Sequence, residues 1–359
     1  MVQKAGLVVV AVIVIAIIAA AAVYLASQPA PSPTPTPTPT PAPTPTPKAL
    51  KVAVLVPQAI TDASWNAAMY DAATKLNVEL KDQNIEISTT DSVGQVDVDS
   101  YMRRYAEMGY NIILGWTIGH QDSALRVAKD FPNVYFIGPD WWKTELKNVA
   151  SFQTPLYEGA YLAGLVAAAL TKTNVVGFVD GEKYPNMLAV SEAFRMGAEK
   201  GGELLGKTIT TVRGFALTWD DVAKGREVAL SLIDTKKADV ILTRGGPIAV
   251  GAIQACSLRG VYAIGDVADQ YALDPKIIVT SNVVNCKQIL KIIIDLYQKG
   301  KLENKMYLWG LAEGTNDIAP FYDHENKIPQ IIKDEIAKTR EGIKNGTIKI
   351  PFIGEDRGW

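Results

Sequence analysis

Side chains able to do chemistry near neutral pH are few in this sequence. Histidine occurs only at His120 and His324, and cysteine only at Cys256 and Cys286. Neither cysteine lies in a CxxC or beside a histidine, which excludes a disulfide framework and a four-ligand zinc site. A single Cys256–Cys286 bridge and two separate buried thiols both remain open, the second being the stronger reading. His120 stands near Asp122 at a strand end, but no nucleophile or second base joins them, so a structural polar pair outweighs an acid–base pair. There is no GxxxxGK[ST], no GxGxxG after a strand, no GxSxG and no HExxH, which removes support for phosphate loops, dinucleotide sites, serine-hydrolase elbows and zincins. With 36 basic and 38 acidic residues and a formal net charge of −2, a nucleic-acid surface is disfavoured. The expectation is a binding protein without catalysis, metal or cofactor.

What could bind is aromatic. Trp65, Trp116, Trp141, Trp142 and Trp219, five of the seven tryptophans, follow β-rich apolar runs where polar loop residues would be ordinary. That clustering points to a planar or apolar ligand, although Trp141 and Trp142 read equally well as caps on a core. The runs come in two sets, 51–57, 85–89, 111–115 and 134–139, then 174–181, 208–214, 239–243 and 260–265. They alternate with helical stretches, the pattern of parallel sheets with crossover helices. Aligned by order the sets repeat weakly at a spacing of about 125 residues. The predicted fold is α/β, with two Rossmann-like lobes facing across a cleft, where ligands sit beyond the carboxyl ends of the strands. Gly245-Gly246-Pro247 reads as a strand-to-helix turn. A strand at 277–281, a helix at 286–298 and a strand at 305–311 carry the chain to the first lobe and back, making a three-crossing hinge. Lobe 1 is expected at 49–152 plus about 283–311, and lobe 2 at 153–282 plus about 312–359. The apolar helix 157–170 is expected to be buried where the lobes meet.

The amino end carries a different signal. Gly6–Ala26 is a run of 21 uncharged residues, enough for a helix of about 30 Å, the thickness of a bilayer core. Lys4 alone precedes it, so the bulk of the chain is expected outside the membrane. A cleaved signal peptide is the competing reading, and Lys4-Ala5-Gly6 resembles the processing site of archaeal pilin-like signals, where cleavage would leave the apolar run in place. Residues 1–28 are read as an anchor. Residues 29–48, where proline alternates with Thr, Ser or Ala, are read as an extended stalk reaching on the order of 60 Å.

The segment Asp62-Ala63-Ser64-Trp65-Asn66 is similar to the D-x-S-[FW]-N segment of the basic membrane protein family, the purine-nucleoside-receptor-like binding proteins of ABC importers. Glu158 to Gly164 (EGAYLAG), Trp219 to Gly225 (WDDVAKG) and Asp269-Gln270 extend the resemblance, which runs in order over about residues 50–352. It implies a periplasmic-binding-protein fold and delivery of a ligand to a permease with a cytoplasmic ATPase. It further implies a purine ring held between Trp65 and Trp219, with Asn66 and Asp140 on its polar edge. Asp62, Trp116, Asp266 and Asp269 complete the candidate ligand-binding set. Nucleoside-binding members resemble this chain except at two positions taken to grip the ribose, an Asp and a Lys, where Val267 and Val284 stand here. Asp266 could replace the Asp by a one-residue shift. Two buried hydroxyls facing valines would lose hydrogen bonds at roughly 1–3 kcal/mol each, so a purine base or related flat heterocycle is expected. A nucleoside is the alternative ligand, and a ligand-sensing ectodomain of a surface signalling system the alternative role.

Overall fold

The computed structural model describes residues 2–29, 49–142 and 145–359. Helix α1 covers Val2–Ala26. Among the described residues no helix is long and apolar enough to cross a membrane. Apart from Pro29, the expected stalk lies outside the described residues.

From Leu50 onward two six-stranded sheets form. The first has the order β11-β5-β4-β3-β1-β2, built from β1 (Leu50–Leu55), β2 (Ile85–Thr90), β3 (Ile112–Gly115), β4 (Tyr135–Pro139), β5 (Val149–Gln153) and β11 (Met306–Leu308). All its pairings are parallel. The second has the order β12-β10-β9-β8-β6-β7, from β6 (Val175–Asp180), β7 (Thr210–Phe215), β8 (Val240–Thr243), β9 (Tyr262–Val267), β10 (Ile278–Val284) and β12 (Asn316–Ile318). It is parallel except that β12 runs antiparallel to β10. The central strands are near-continuous apolar runs, Val240-Ile241-Leu242 for example, because a parallel sheet is covered on both faces.

Each sheet carries two helical layers. The first is packed on one side by α2 (Trp65–Leu80) and α9 (Cys286–Gln298), and on the other by α3 (Val98–Glu107) and α4 (Gln121–Val127). The second packs α5 (Leu156–Leu170), α6 (Pro185–Leu205) and α10 (Gln330–Lys344) on one side, and α7 (Val222–Leu230) and α8 (Pro247–Arg259) on the other. Local signals start and stop these helices. Asn285 accepts from the Gln288 amide at 3.0 Å to cap α9, and Asp221 accepts from the Lys224 amide at 2.9 Å to cap α7. Pro247 opens α8 after the left-handed Gly245 and Gly246, so the Gly-Gly-Pro segment is the turn its sequence predicts.

The chain crosses between sheets after β5, after β10 and after β11. The three passes are laced together by buried polar groups. The Gly159 amide donates to Asn316 Oδ1 at 2.8 Å, Asn316 Nδ2 to Asn282 Oδ1 at 3.1 Å, and Asn282 Nδ2 to the Leu156 carbonyl at 3.2 Å. The Asn285 amide donates to the Thr315 carbonyl at 2.8 Å, and the Leu311 amide to Glu158 Oε2 at 2.8 Å. Burial raises the Glu158 carboxyl above the usual range. There is no room here for a side chain at position 159, since a Cβ would stand 2.1 Å from Asn282 Oδ1.

Helix α5 departs from its expected place. Only its first turn lies in this junction, where Leu156 packs against the cores of both lobes. The rest is buried inside the second lobe against α6, because small residues let the two backbones approach. A Cβ on Gly164 would lie 2.2 Å from the Phe194 carbonyl oxygen, and one on Gly197 would lie 1.9 Å from that of Tyr161. Backbone cannot give way as a side-chain tip can. We therefore expect Gly164→Val to cost at least about 2 kcal/mol, read as a lower urea midpoint. Gly94→Ala, with open space around it, should shift stability by less than about 0.5 kcal/mol.

Candidate ligand-binding site

The carboxyl ends of both sheets face one another. On the first wall the loop after β1 leads into α2. Asp62 caps this helix: its Oδ1 accepts from the amides of Ser64 and Ala67 at 3.2 and 2.9 Å, and its Oδ2 from the Asn66 amide at 2.8 Å. Oδ2 also accepts from Asn66 Nδ2 at 2.8 Å. Both Asp62 oxygens are therefore occupied by the protein. Asn66 is fixed with its amide nitrogen committed and its Oδ1 buried without a partner. Beside it, Trp65 stacks on Trp116 with centroids 4.2 Å apart and planes at 14°. Each indole N–H donates to the other residue's carbonyl, at 3.0 and 2.8 Å. Trp116 is fully buried and backs onto Phe152, which stacks on Trp309. Trp65 is thus the half-buried end of an aromatic ladder rooted in the core, and Trp116 is its support.

On the second wall Trp219, also half-buried, lies over Gly181, where a Cβ would meet its ring at 2.5 Å. It faces Tyr184 at 6.5 Å and 20°. Among the described ring pairs none joins Trp65 to Trp219 directly. One residue from Gly181 stands Asp180, the last residue of β6, and Arg244 follows the end of β8. Arg244 Nε donates to Asp266 Oδ2 at 2.9 Å, and Asp266 Oδ1 accepts from Asn282 Nδ2 at 3.2 Å. Arg244 Nη1 lies 3.5 Å from Asp180 Oδ2 without a hydrogen bond, and both atoms are buried and unpartnered. Burial, together with the nearby Asp266 carboxylate and against the pull of Arg244, raises the Asp180 carboxyl to about 6. Burial likewise raises Asp266, opposed by Arg244. Val267, next along, is held at φ +65°, a costly conformation for a β-branched residue.

The walls touch. Gln270 Nε2 donates to the Ala63 carbonyl at 3.1 Å and Ser64 Oγ to the Asp266 carbonyl at 3.4 Å. Asp140, at φ +56°, accepts from the side chains of Gln153 and Asn186, the second of which opens α6 in the other lobe. Burial raises the Asp140 carboxyl while these two donors lower it. Val267 and Val284 are both buried and pack in the hydrophobic cluster of the first lobe.

The remaining candidates fall elsewhere. Asp269 is exposed and accepts from the Tyr322 hydroxyl and from the Tyr271 amide, away from the Arg244 group. Trp141 is fully buried as a cap over Gly138 and Gly115, and Trp142 is exposed. His120 does not pair with Asp122, which is exposed; its Nε2 bonds the Val93 carbonyl at 2.9 Å, and burial lowers its pKa. Cys256 and Cys286 are separate buried thiols in different lobes, and burial pushes the Cys256 thiol up to about 12. Two surface cavities of about 430 and 440 Å³ lie on the second lobe, lined by residues such as Lys172 and Lys327, and Phe321 and Arg340. Neither borders the strand-end residues, where the polar atoms without partners gather. Arg244 and Asp180 escaped the sequence reading. Their signal is a charged residue directly at the carboxyl end of a buried parallel strand, which the adjoining glycines disguise as turn.

Comparisons with known proteins agree with this fold. Residues 49–353 match the profile of the PnrA-like family of ABC transporter substrate-binding proteins. A purine-binding protein of Brucella abortus is 27% identical over 310 residues, 85% of this chain and 83% of that protein. A putative ABC transporter glucose-binding protein of Haloferax volcanii is 26% identical over 292 residues, 81% of this chain and 71% of that protein. Among solved structures, a solute-binding protein of an ABC transporter from Conexibacter woesei superposes with a TM-score of 0.70 at 21% identity, covering 85% of this chain and all (100%) of that one.

The buried charges predict an unusual pH response. A carboxyl whose folded pKa exceeds its unfolded value stabilises the fold at low pH, and that contribution is lost as pH rises through the folded pKa. For Asp180, at about 6 against an ordinary 3.8, the loss between pH 5 and 7.5 should be on the order of 1 kcal/mol. Urea midpoints of the wild type and Asp180→Asn at the two pH values check this. The variant should show the flatter dependence, and an unchanged slope would mean that Asp180 does not titrate in the fold.

Proposed function

The chain belongs to the PnrA-like family of ABC transporter substrate-binding proteins, and on that premise we propose that it captures a purine base or a related planar heterocycle between its lobes. The observation that carries this reading is the Asn66 amide, buried beside Trp65 with its nitrogen committed to Asp62 and its oxygen unpartnered. A flat ring laid against Trp65 gains base–aromatic stacking of about 1–3 kcal/mol, and an N–H on its edge completes the Asn66 hydrogen bond. Trp219 supplies the second apolar face. Val267 and Val284 offer a ribose no polar partner, which favours the base over the nucleoside. The purine-binding relative agrees with this ligand class, and the glucose-binding relative names its competitor.

The partner is an ABC permease with its cytoplasmic ATPase, as in the family at large. Ligand binding and release serve transport, and no reaction is assigned to the cleft. We place the protein on the outer face of the membrane, anchored by the amino end. The support for this reading is in the sequence, the 21-residue uncharged run Gly6–Ala26, which lies within the 25-residue helix α1.

A ligand that binds only the folded protein raises its melting temperature as its concentration exceeds the Kd. In a panel of purine bases, purine nucleosides, glucose and amino acids, adenine or hypoxanthine should give the largest shift. Trp219→Ala should weaken that binding by at least about 1 kcal/mol. A tenfold preference for adenosine or inosine over the free bases would sink the base reading, and a response to glucose alone would sink the purine reading.

A further inference from the structure

Among the described residues, five buried side-chain atoms lack a hydrogen-bond partner: Asn66 Oδ1, His120 Nδ1, Asp180 Oδ2, Thr211 Oγ1 and Arg244 Nη1. Three of them lie at the facing strand ends, next to the two aromatic platforms. Asn66 adjoins Trp65, and Asp180 adjoins Gly181, on which Trp219 rests. Arg244 Nη1 stands 3.5 Å from Asp180 Oδ2. A folded interior satisfies nearly all of its buried polar atoms, and each one left without a hydrogen bond carries an uncompensated desolvation cost. Such atoms gathered in one cleft call for a partner from outside the chain.

The group is built to present itself rather than to collapse. Asp266 holds Arg244 by Nε at 2.9 Å, and Asn282 holds Asp266 in turn at 3.2 Å. Arg244 Nη1 and Asp180 Oδ2 then face each other as an ion pair at 3.5 Å in which neither atom makes a hydrogen bond. Asp140, the other carboxylate near this wall, already accepts from Gln153 and Asn186, and Asp62 is consumed by capping α2.

We propose that Arg244 and Asp180 form the subsite that reads the ligand's polar edge, Arg244 Nη1 donating to an acceptor on the ring and Asp180 Oδ2 accepting from an adjacent N–H. Resting on the purine-type reading above, this names the feature the ligand must carry: a hydrogen-bond donor beside an acceptor on one edge. On the edge spanning N1 and position 6 the 6-oxopurines carry it as a lactam and the 6-aminopurines as an amidine; unsubstituted purine has no donor on that edge, its N–H standing beside N3 at the opposite side. One arginine among two aspartates makes the subsite net negative when both carboxyls are ionised, which disfavours anionic ligands. The groups facing Asp180 are Arg244, Asp266 and the Gly181 amide, which donates to its Oδ1 at 2.8 Å. The ionised carboxylate accepts from a ligand N–H more strongly than the protonated acid does, so binding should weaken as pH falls below about 6.

Calorimetric titration of the full chain with hypoxanthine, adenine and unsubstituted purine at pH 7.5 and 5.0 tests this. We expect hypoxanthine or adenine to bind at least tenfold tighter than purine, about 1.4 kcal/mol, and the comparison between the two separates lactam from amidine. Asp180→Asn should reduce the preference to under about threefold and remove a loss of about fivefold on acidification seen in the wild type. Arg244→Lys, which keeps the buried charge but not the fork, should reduce the preference in the same way. If purine binds the wild type as tightly as both 6-substituted bases, or if folded Asp180→Asn keeps the full preference, the subsite is wrong while the purine-type reading stands. If none of the three bases binds, both readings fall together. The wild-type comparison decides the matter even if a variant fails to fold.

Discussion

The architecture depends on the junction where three chain passes cross between the lobes. Gly159, Asn282 and Asn316 bond one another there, and Leu156, Glu158, Leu311 and Thr315 close the ring of contacts. Three covalent connections tied side by side leave few ways for one lobe to move against the other, and opening and closing about the junction is the natural one. The same crossings bring the carboxyl ends of the two sheets together. The loops that follow the strands at those ends form the two walls, which is why Trp65 and Trp219, far apart in the sequence, stand one on each wall.

Junction and cleft are equally buried and equally polar, yet they differ in satisfaction. In the junction the Asn282 and Asn316 amides have their partners within the chain. In the cleft Asn66, Asp180 and Arg244 each keep an atom without one. A buried polar group that is paired fixes a structure, whereas one that is unpaired costs free energy until something supplies the missing bond. Backbone strain is present at the cleft as well. Ala63, Asp140, Leu217 and Val267 hold positive φ in loops or strand ends beside the cleft. Such conformations persist only where surrounding contacts determine them, as they do around a binding site.

Much of this was legible in the sequence because it rests on periodicity. The Cys286–Gln298 helix has the bounds its apolar spacing predicts, and the strands with long apolar runs emerge where they were read. Strand β5, Val-Ala-Ser-Phe-Gln, was not read because its serine and glutamine break the apolar run, although the sheet buries four of its five residues. Strand β12, Asn-Asp-Ile, is too short and too polar to stand out, and pairing with β10 makes it a strand. The tryptophans were visible as a class but not as roles. Whether an indole faces a ligand or another indole is decided by tertiary stacking, which places Trp116 behind Trp65 and Trp141 over Gly138. Asp62 shows the converse: the residue types that read a ligand edge also cap a helix, and four hydrogen bonds from the start of α2 claim it for the cap.

The distribution of these groups between the lobes bears on how closure is driven. The first lobe contributes an aromatic face, Trp65 on its ladder, and one amide oxygen; the second contributes Trp219 and the charged edge at Asp180 and Arg244. Among the described residues the direct hydrogen bonds between the walls include Gln270 to Ala63 at 3.1 Å, Ser64 to Asp266 at 3.4 Å and Asn186 to Asp140, each worth about 0.5–1.5 kcal/mol as a typical hydrogen bond. A ligand shifts such an equilibrium no further than the difference in its affinity for the two states. A ring that merely stacks on Trp65 gains almost as much from the open form as from the closed one. A ring that also reaches the Arg244 edge gains its remaining bonds only on closure, so the polar edge couples recognition of the ligand to the shape a permease can read.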